Sequence, residues 1–390
     1  MFVPLFPIYV KGFGISVTEL GIILASFAIA RIIFQVPFGA ISDRIGRKFL
    51  IVSALFAYSG IIVLYALSSN TYEFLVFRFL QGTASAAVSS SAMPLIIDSS
   101  PSQIRASSIG LYQTAVNVGL ISGPVIGGVL ASLYGLRSPF FLGSALALMA
   151  GIISIILLRE PARISNDRPK TIGVRALMEI PRAFTGLPGL LKITFVILAI
   201  ANLSEYLGYG MFEPTFPLYA SKQFGATSQL IGLTFSVGSI GLAVGPSFLG
   251  RLADRVGRKS VMVGGLATIS FFVALYPVAS DVIFLVLLMI PVSIGTSAFL
   301  TSLPTLVGEI AQSGRRAVTM AMVNVMGDIG LVLGPILAGA AWDRLGPSSP
   351  FFIDSVIVGL GALAVLVGVR ETYQQKDVVG QLARKTDSSS

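Results

Sequence analysis

Two residue types are missing from this chain of 390 residues: it contains no cysteine and no histidine. Without cysteine there is no disulfide and no thiolate metal site, and cysteine usage does not indicate whether the compartment is oxidising or reducing. Without histidine the chain lacks the commonest metal ligand and the side chain that ordinarily titrates near neutral pH. We therefore expect no metal site and no cofactor, and any proton chemistry must use carboxylates. No phosphate loop or nucleophile–base pair is present either, so the sequence predicts a protein that is not an enzyme.

Charge is also scarce. Charged residues make up 12% of the chain, whereas soluble proteins carry about 25%. Hydrophobic residues make up 54%, and the mean hydropathy is +0.86. The net charge of +9 would suit a nucleic-acid partner, but the basic residues cluster in short loops between apolar runs. That placement indicates membrane topology and no nucleic-acid binding.

Eleven apolar runs are long enough to cross a bilayer. They lie roughly at 17–41, 49–67, 73–97, 106–133, 139–158, 194–220, 228–252, 260–279, 282–308, 317–342 and 350–369. Backbone polar groups cannot stay unpaired in hydrocarbon, so we expect these runs to be helices of an all-α membrane protein. A polar stretch from Arg159 to Lys192 separates two sets of runs, and the tail from Arg370 to Ser390 reads as disordered.

The chain contains an internal duplication. The segment Gly39–Lys48 returns as Gly250–Lys259, 211 residues later, and Gly123-Pro124 returns as Gly334-Pro335 at the same offset. A repeat of this length indicates a duplicated domain, and two equivalent halves around one pathway are typical of secondary transporters. The expected divisions are an N-terminal bundle at 1–158, a linker at 159–192, a C-terminal bundle at 193–369 and the tail at 370–390.

The repeat also bears on the first helix. Residues 1–9 match residues 211–219, and in the second copy an apolar stretch from Phe195 to Gly210 completes the helix. Nothing equivalent precedes Met1. We expect that the first transmembrane helix is truncated at its N-terminus and that the intact protein has twelve helices in two six-helix bundles. The alternative is a genuine short first helix of about ten residues.

Orientation is expected from the lysines and arginines of the loops. With the loop 43–48 on the cytoplasmic side, that side collects 21 of the 27 basic residues, the other side four, and two lie within spans. The sequence thus predicts a multi-pass protein of the cell membrane, plasma or inner, with the linker and the C-terminus in the cytoplasm.

The repeated loop Gly-x-x-x-Asp-Arg-x-Gly-Arg-Lys resembles the best-known signature of the major facilitator superfamily. The resemblance covers nearly the whole chain and implies two pseudo-symmetric bundles. It further implies that the two loops, with an acid at the end of helices four and ten, latch the cytoplasmic side shut. The gate residues are Gly39, Asp43, Arg44, Gly46, Arg47, Lys48 and Asp98, with Gly250, Asp254, Arg255, Gly257, Arg258, Lys259 and Glu309.

Within this loop, Gly39 is expected to let two helix ends approach closely. Asp43 is expected to accept hydrogen bonds at a neighbouring helix N-terminus. Arg47 is expected to pair with Asp98, as Arg258 pairs with Glu309. The alternative is that these charges are only topology signals.

Two further motifs narrow the class. Arg78-Phe-Leu-Gln81-Gly82 resembles the family's Arg-x-x-Gln-Gly element, which implies a role in proton coupling, whereas structural pairing of Arg78 with backbone carbonyls is the alternative. In the fifth helix, residues 119–128 resemble the Gly-x-x-x-Gly-Pro-x-x-Gly-Gly element of the family's antiporters. This resemblance implies a bent, closely packed helix at an interface where the two halves rock. The antiporter positions are Gly119, Gly123, Pro124, Gly127 and Gly128.

Four acids lie at membrane depth, where an ionisable residue is a functional candidate. Asp328 stands near the middle of the eleventh span and Glu205 near the middle of the seventh, with Glu213 eight residues further on. Asp354, near the outer end of helix twelve, is expected to be a snorkelling or capping group. Glycines and prolines around Glu213 suggest that helix seven is broken.

Burial favours the uncharged form of a carboxyl group, so buried acids can load and release protons. We expect Glu205 and Asp328 to alternate between a proton and a cationic or polar substrate, while fixed salt bridges with Arg31 or Arg78 are the alternative. Other residues that could share the cavity are Gln81, Asn117, Asn324, Tyr206, Tyr209, Phe212, Met322 and Met326. For the aromatic and methionine residues among them, ordinary packing is the alternative, because such residues are common in membrane helices.

Together these observations predict a monomeric secondary transporter that exports small molecules, such as amphipathic or cationic drugs, by proton antiport. The gradient would supply the energy through alternating access. One alternative is proton-coupled uptake of a sugar, an organic acid or another metabolite. A second is a substrate sensor that keeps the fold without transporting.

Overall fold

The computed structural model describes residues 1–160, 189–311 and 316–369. These residues form twelve α-helices and two short 3-10 turns, Val3–Leu5 and Tyr276–Val278. The helices are α1 Phe6–Lys11, α2 Val17–Ile45, α3 Arg47–Leu67, α4 Thr71–Ser99, α5 Arg105–Tyr134, α6 Ser138–Leu157, α7 Gly189–Phe224, α8 Ser228–Val256, α9 Arg258–Ala274, α10 Val282–Ile310, α11 Arg316–Leu345 and α12 Ser349–Gly368. The predicted all-α architecture is confirmed.

Ten of these helices are long and apolar enough to cross a membrane. The two that fall short are α1, which has six residues, and α4, whose interior carries Arg78, Gln81 and several serines. Residues 161–188 of the predicted linker and the predicted tail at 370–390 lie outside the described residues. The helix α7 begins at Gly189, inside the range assigned to the linker.

Polar residues and glycines cap the ends of the long helices. Ser16 and Glu19 form a capping box at the start of α2. At the far end of α2, Gly46 has a φ of 117°, and Gly257 after α8 has a φ of 98°, a region that favours glycine. Each turn is followed at once by the next helix. We call the end of the bundle that carries these two turns the motif side, and the other end the opposite side.

The helix α7 is continuous, so the expectation that it is broken was wrong. Its prolines, Pro214 and Pro217, lie inside the helix, and the Thr215 hydroxyl between them donates to the Met211 carbonyl oxygen at 2.7 Å. Hydroxyl groups and neighbouring helices can compensate for proline in this way. Gly210 packs closely against Gly334 and Pro335 of α11. The glycines of α7 therefore serve close packing.

Each half has an aromatic core at equivalent positions. In the first half Phe6 lies edge-on to Tyr65, with ring centroids 5.3 Å apart. In the second half Phe216 lies edge-on to Tyr276, with centroids 5.6 Å apart. All four rings are fully buried. The duplication in the sequence is thus also a duplication of packing, which fixes how α1, α3 and α4 and their counterparts surround each core.

The two halves meet mainly through α2 with α11 and α5 with α8. The close glycine contacts across these pairs lie toward the opposite side: Gly339 against Thr18, Gly232 against Pro124 and Gly128 against Ser228. On the motif side, a methyl group added to Gly39 would meet nothing within 4 Å. The expected close approach at Gly39 is therefore absent in this conformation, because the halves join at the other end.

The acid Asp343, near the end of α11, also joins the halves on the opposite side. Its carboxylate accepts hydrogen bonds from the Thr18 backbone N–H at 2.8 Å, the Thr18 hydroxyl at 2.7 Å and the Val17 N–H at 3.3 Å. A carboxylate at a helix N-terminus is favourable both as an acceptor and toward the helix dipole. Asp343 thus holds the start of α2 from the other half of the molecule.

Candidate functional site

A central cavity of about 260 Å³ lies between the two halves at membrane depth. It is walled by α2, α3 and α4 of the first half and by α7 and α11 of the second. The polar residues that line it are Arg31, Tyr58, Arg78, Gln81, Tyr209, Glu213 and Asp328. Six of these were candidates from the sequence, and Tyr58 was not.

An ion pair between Arg78 and Glu213 crosses the cavity from α4 to α7, with 3.7 Å between nitrogen and oxygen. Arg78 is buried, and its guanidinium also donates to Gln81 Oε1 at 2.9 Å. The Cζ atom lies 4.9 Å from the Phe6 ring centroid and 5.0 Å from that of Phe27. A charge this deep needs such partners, since an unpaired arginine in a bilayer costs several kcal/mol.

The amide of Gln81 organises this pair. Its oxygen accepts from Arg78 and from the Tyr65 hydroxyl at 2.9 Å, and its nitrogen donates to the Tyr58 hydroxyl at 2.9 Å. Every polar atom of the amide is therefore used, which holds the Arg78 side chain in one position. The Arg-x-x-Gln spacing places both side chains on one face of α4, one turn apart.

Arg31 and Asp328 line the same cavity from α2 and α11. They carry opposite charges, but no ion pair within 4.0 Å joins them in the described part of the chain. Asp328 is half-buried and thus open to the cavity. The remaining candidates lie elsewhere: Tyr206 packs against Gly327, and Asn117, Asn324 and Met326 line neither this cavity nor the second pocket described next.

Glu205 does not share the cavity of Asp328. It lines a second pocket, which we call the side pocket, inside the second half between α7, α8, α9, α10 and α12. Asp354 lines it too and is 3% exposed, so the expectation of a snorkelling or capping group was wrong. Asp354 lies in the second turn of α12, and its carboxyl group fits beside Gly208 of α7, where a larger side chain would collide with it.

The motif loops carry the expected pairs within each half. Arg47 pairs with Asp98 and, at 3.4 Å, with Asp43. Arg258 pairs with Glu309 and, at 3.7 Å, with Asp254. None of these pairs crosses between the halves. The other loop members, Arg44, Lys48, Arg255 and Lys259, lie at the same helix ends, and Gly46 and Gly257 make the turns.

The carboxylate at the N-terminus of α3 comes from Glu160, which corrects the role expected for Asp43. Glu160 accepts from the backbone N–H groups of Arg47 at 2.9 Å and Lys48 at 2.7 Å. Sequence reasoning missed Glu160 and Asp343. Asp343 could have been flagged because the equivalent residue of the first copy is Ser132.

The antiporter motif lies where α5 packs against Met1 of its own half and against α8 of the other half. Added methyl groups would collide with the Met1 carbonyl at Gly127 and with the Ser228 carbonyl at Gly128. Gly123 lies near Met1 as well, and the Pro124 carbonyl faces Gly232 of α8. Gly119, nearer the motif side, has open space around it. Four of the five positions thus belong to a tightly packed contact.

A family model described as Major Facilitator Superfamily matches residues 1–201 and 198–386. An uncharacterized MFS-type transporter of Methanocaldococcus jannaschii is 28% identical, over 92% of this chain and 91% of its own. Multidrug resistance protein 1 of Bacillus subtilis is 27% identical, over 92% and 89%. A bacterial homolog of the human lysosomal transporter Spinster, in an inward-facing and occupied conformation, has a similar fold, with a TM-score of 0.78 at 17% identity over 95% and 93% of the chains.

Proposed function

Because the chain belongs to the Major Facilitator Superfamily of transporters, we propose that it exports small molecules in exchange for protons by alternating access of its two halves. The observation that carries the proposal is the Arg78–Glu213 ion pair, which joins the halves at the central cavity. Similarity to a multidrug resistance protein supports export as the direction.

The proposed exchange uses the cavity carboxylates. A proton that binds Glu213 neutralises it and removes its attraction to Arg78, whose charge is then held by Gln81 and two aromatic rings. The link between α4 and α7 is thereby weakened, and the halves are free to tilt. Asp328, half-buried opposite Arg31, is the carboxylate at which a cationic cargo and a proton would compete.

We infer that this conformation is the one in which cargo enters the central cavity from the motif side. The halves join on the opposite side through Asp343 and the glycine contacts, whereas the pairs of the motif loops stay within each half. With the motif side in the cytoplasm, as the distribution of basic residues predicts, the cavity receives cargo from the cytoplasm. The motif loops would then latch that side after the halves tilt.

The test is transport in proteoliposomes under a proton gradient, with the cationic dye ethidium as probe. Glu213→Gln and Asp328→Asn should reduce proton-driven dye movement to the level of empty liposomes. Glu73→Gln, which removes an acid at the start of α4 outside the cavity, is the matched control. Wild-type transport by both cavity variants would refute the proposal. Dye binding without counterflow would instead favour a substrate sensor that does not transport. Proton-driven uptake of a metabolite would favour an importer.

A further inference from the structure

Two tyrosines of α3 contact the amide of Gln81, but they use it in opposite ways. The Tyr65 hydroxyl donates its hydrogen to Gln81 Oε1 at 2.9 Å. The Tyr58 hydroxyl instead accepts a hydrogen bond from Gln81 Nε2 at 2.9 Å. The two tyrosines are seven residues apart and lie on one face of α3. Tyr58 therefore keeps its own hydroxyl hydrogen, whereas Tyr65 has already used its own.

The charge of Arg78 fixes the direction of these bonds. A guanidinium carries only donors and keeps its proton in proteins, so the Gln81 atom that it contacts must be the oxygen. The amide nitrogen is then the atom that faces Tyr58, and the tyrosine oxygen can only accept from it. Arg78 stays charged whether or not Glu213 carries a proton, so the direction persists through the proposed transport cycle.

The remaining hydrogen of Tyr58 is available to the central cavity, which Tyr58 lines. Its side chain is half-buried, whereas Tyr65 is fully buried and lines neither the central cavity nor the side pocket. Within the ranges that the structure describes, no side chain or carbonyl accepts a hydrogen bond from the Tyr58 hydroxyl. A neutral donor whose oxygen is held in place is thus presented to whatever fills the cavity.

We propose that Tyr58 sets cargo specificity by donating a hydrogen bond to a neutral acceptor of the cargo, such as a ketone or amide carbonyl. The inference rests on the proposed function, because it takes the central cavity as the cargo site. It narrows the cargo to cations that also carry such an acceptor. Asp328 of the other half lines the same cavity and takes the positive charge, so each half supplies one anchor.

Two other residues of the central cavity carry donors, and both suit this role less well. The Tyr209 hydroxyl has no hydrogen-bond partner in the described part of the chain, so its direction is not fixed. Arg31 carries a positive charge, which repels the charge of a cationic cargo. A hydroxyl that is already held, as in Tyr58, loses less freedom when it binds a cargo.

The test compares two permanent cations of similar shape, para-acetyl-phenyltrimethylammonium and its para-isopropyl analogue, of which only the first has an acceptor. Their dissociation constants for the full chain in lipid nanodiscs are measured by titration calorimetry. Tyr58→Phe should weaken binding of the acetyl cation about threefold to tenfold relative to the isopropyl cation. Tyr65→Phe, the matched control, removes a hydroxyl from the same amide and should leave the ratio of the two constants unchanged.

A second variant reverses the direction of the bond without changing Tyr58. In Gln81→Glu the new carboxylate has only acceptors, so the Tyr58 hydroxyl should turn its hydrogen toward position 81. The acetyl cation should then lose its advantage over the isopropyl cation, as in Tyr58→Phe. This variant keeps the tyrosine ring and its packing.

Infrared spectroscopy tests the bond itself, on the wild type alone. The carbonyl of the acetyl cation, labelled with a heavy isotope at its carbon, should absorb at a lower frequency in the wild-type cavity than in an aprotic solvent. The reason is that a hydrogen bond to the oxygen weakens the C=O bond. In Tyr58→Phe the band should return toward its aprotic position, and in Tyr65→Phe it should not.

Three results would overturn the inference. These are an equal ratio in Tyr58→Phe and the wild type, a wild-type carbonyl band at the aprotic position, and failure of both cations to bind. A ratio that changes in Arg31→Gln but not in Tyr58→Phe is an instance of the first. The proposed function fails separately: binding that depends on Tyr58 without proton-driven transport would remove only that function. Proton-driven ethidium export with an unchanged ratio would remove only the role of Tyr58.

Discussion

Several neighbours stabilise the guanidinium of Arg78 at membrane depth. Glu213 supplies the counter-charge, Gln81 supplies a fixed acceptor, and the rings of Phe6 and Phe27 cover the guanidinium faces. Gln81 in turn is held by Tyr58 and Tyr65. The arrangement separates two tasks. The Gln81 amide positions Arg78, while the ion pair with Glu213 of the other half can form or break.

This separation predicts the behaviour of Gln81→Glu. The new carboxylate can accept from Arg78, Tyr65 and Tyr58, so no buried donor loses its partner and the protein should melt within a few degrees of wild type. Arg78 will then prefer the adjacent acid to Glu213, and proton-driven transport should fall about tenfold or more. Gln81→Leu, which removes all these hydrogen bonds, should instead destabilise the fold by about 1–3 kcal/mol. Normal transport by Gln81→Glu would contradict this account.

Glu160 offers a second test at the residue scale. Glu160→Gln removes the charge at the N-terminus of α3, so the amide hydrogens of Arg47 and Lys48 should exchange about two- to fivefold faster, as expected for a solvent-exposed cap. Asp43→Asn is the comparison, because Asp43 pairs with the Arg47 side chain and contacts neither amide. Equal exchange in the two variants would argue against the cap.

At the scale of elements, glycines decide which helices can approach. The helix α5 carries five glycine or proline positions in one motif, yet Gly119 alone among the glycines of that motif has open space around it. The difference follows from position along the helix: Gly128 lies where α5 meets α8 of the other half, Gly127 lies against Met1 of its own half, and Gly119 lies nearer the motif side. The helices themselves act as rigid bodies that meet at one end.

This contrast supplies a matched pair of variants. Gly128→Val should push α5 from Ser228 of α8 and disfavour the conformation described here, whereas Gly119→Val meets open space and should leave it populated. The chain has no cysteine, so a thiol introduced at Val118 is the only one to label. Labelling of Val118→Cys from the motif side should slow in the Gly128→Val background and stay unchanged with Gly119→Val. The reverse order would show that the contact is unimportant.

Across the whole molecule, charge at membrane depth is divided between the halves. The bases Arg31 and Arg78 belong to the first half, and the four acids Glu205, Glu213, Asp328 and Asp354 belong to the second. The central cavity is therefore an interface between a basic and an acidic surface, and protonation of the acidic one weakens their attraction. Two copies that diverged in charge but kept their packing can attract each other and still move as rigid bodies.

The balance between conformations should also depend on Asp343. Asp343→Asn weakens the hydrogen bonds to Thr18, and a loss of about 1 kcal/mol would shift the population about fivefold toward the state open on the opposite side. Spin labels at Tyr72 and Ile283 report on that side, and labels at Ile45 and Val256 report on the motif side. The first pair should separate and the second approach. Unchanged distances in both pairs would exclude Asp343 as a latch.

Hydrophobic length and an internal repeat are local and repeated signals, so the architecture could be predicted from the residues alone. The sequence also predicted the Arg47–Asp98 and Arg258–Glu309 pairs, since adjacent helix ends bring these partners together in each copy. Which acids share a cavity depends on how the helices pack in three dimensions, and this could not be predicted. Glu205 and Glu213 lie eight residues apart on one continuous helix, so their side chains point roughly 80° apart around its axis. Glu205 lines the side pocket but not the central cavity, whereas Glu213 lines both. Long-range contacts such as Asp343 with Thr18 arise from the tilt of two halves, which no local pattern encodes.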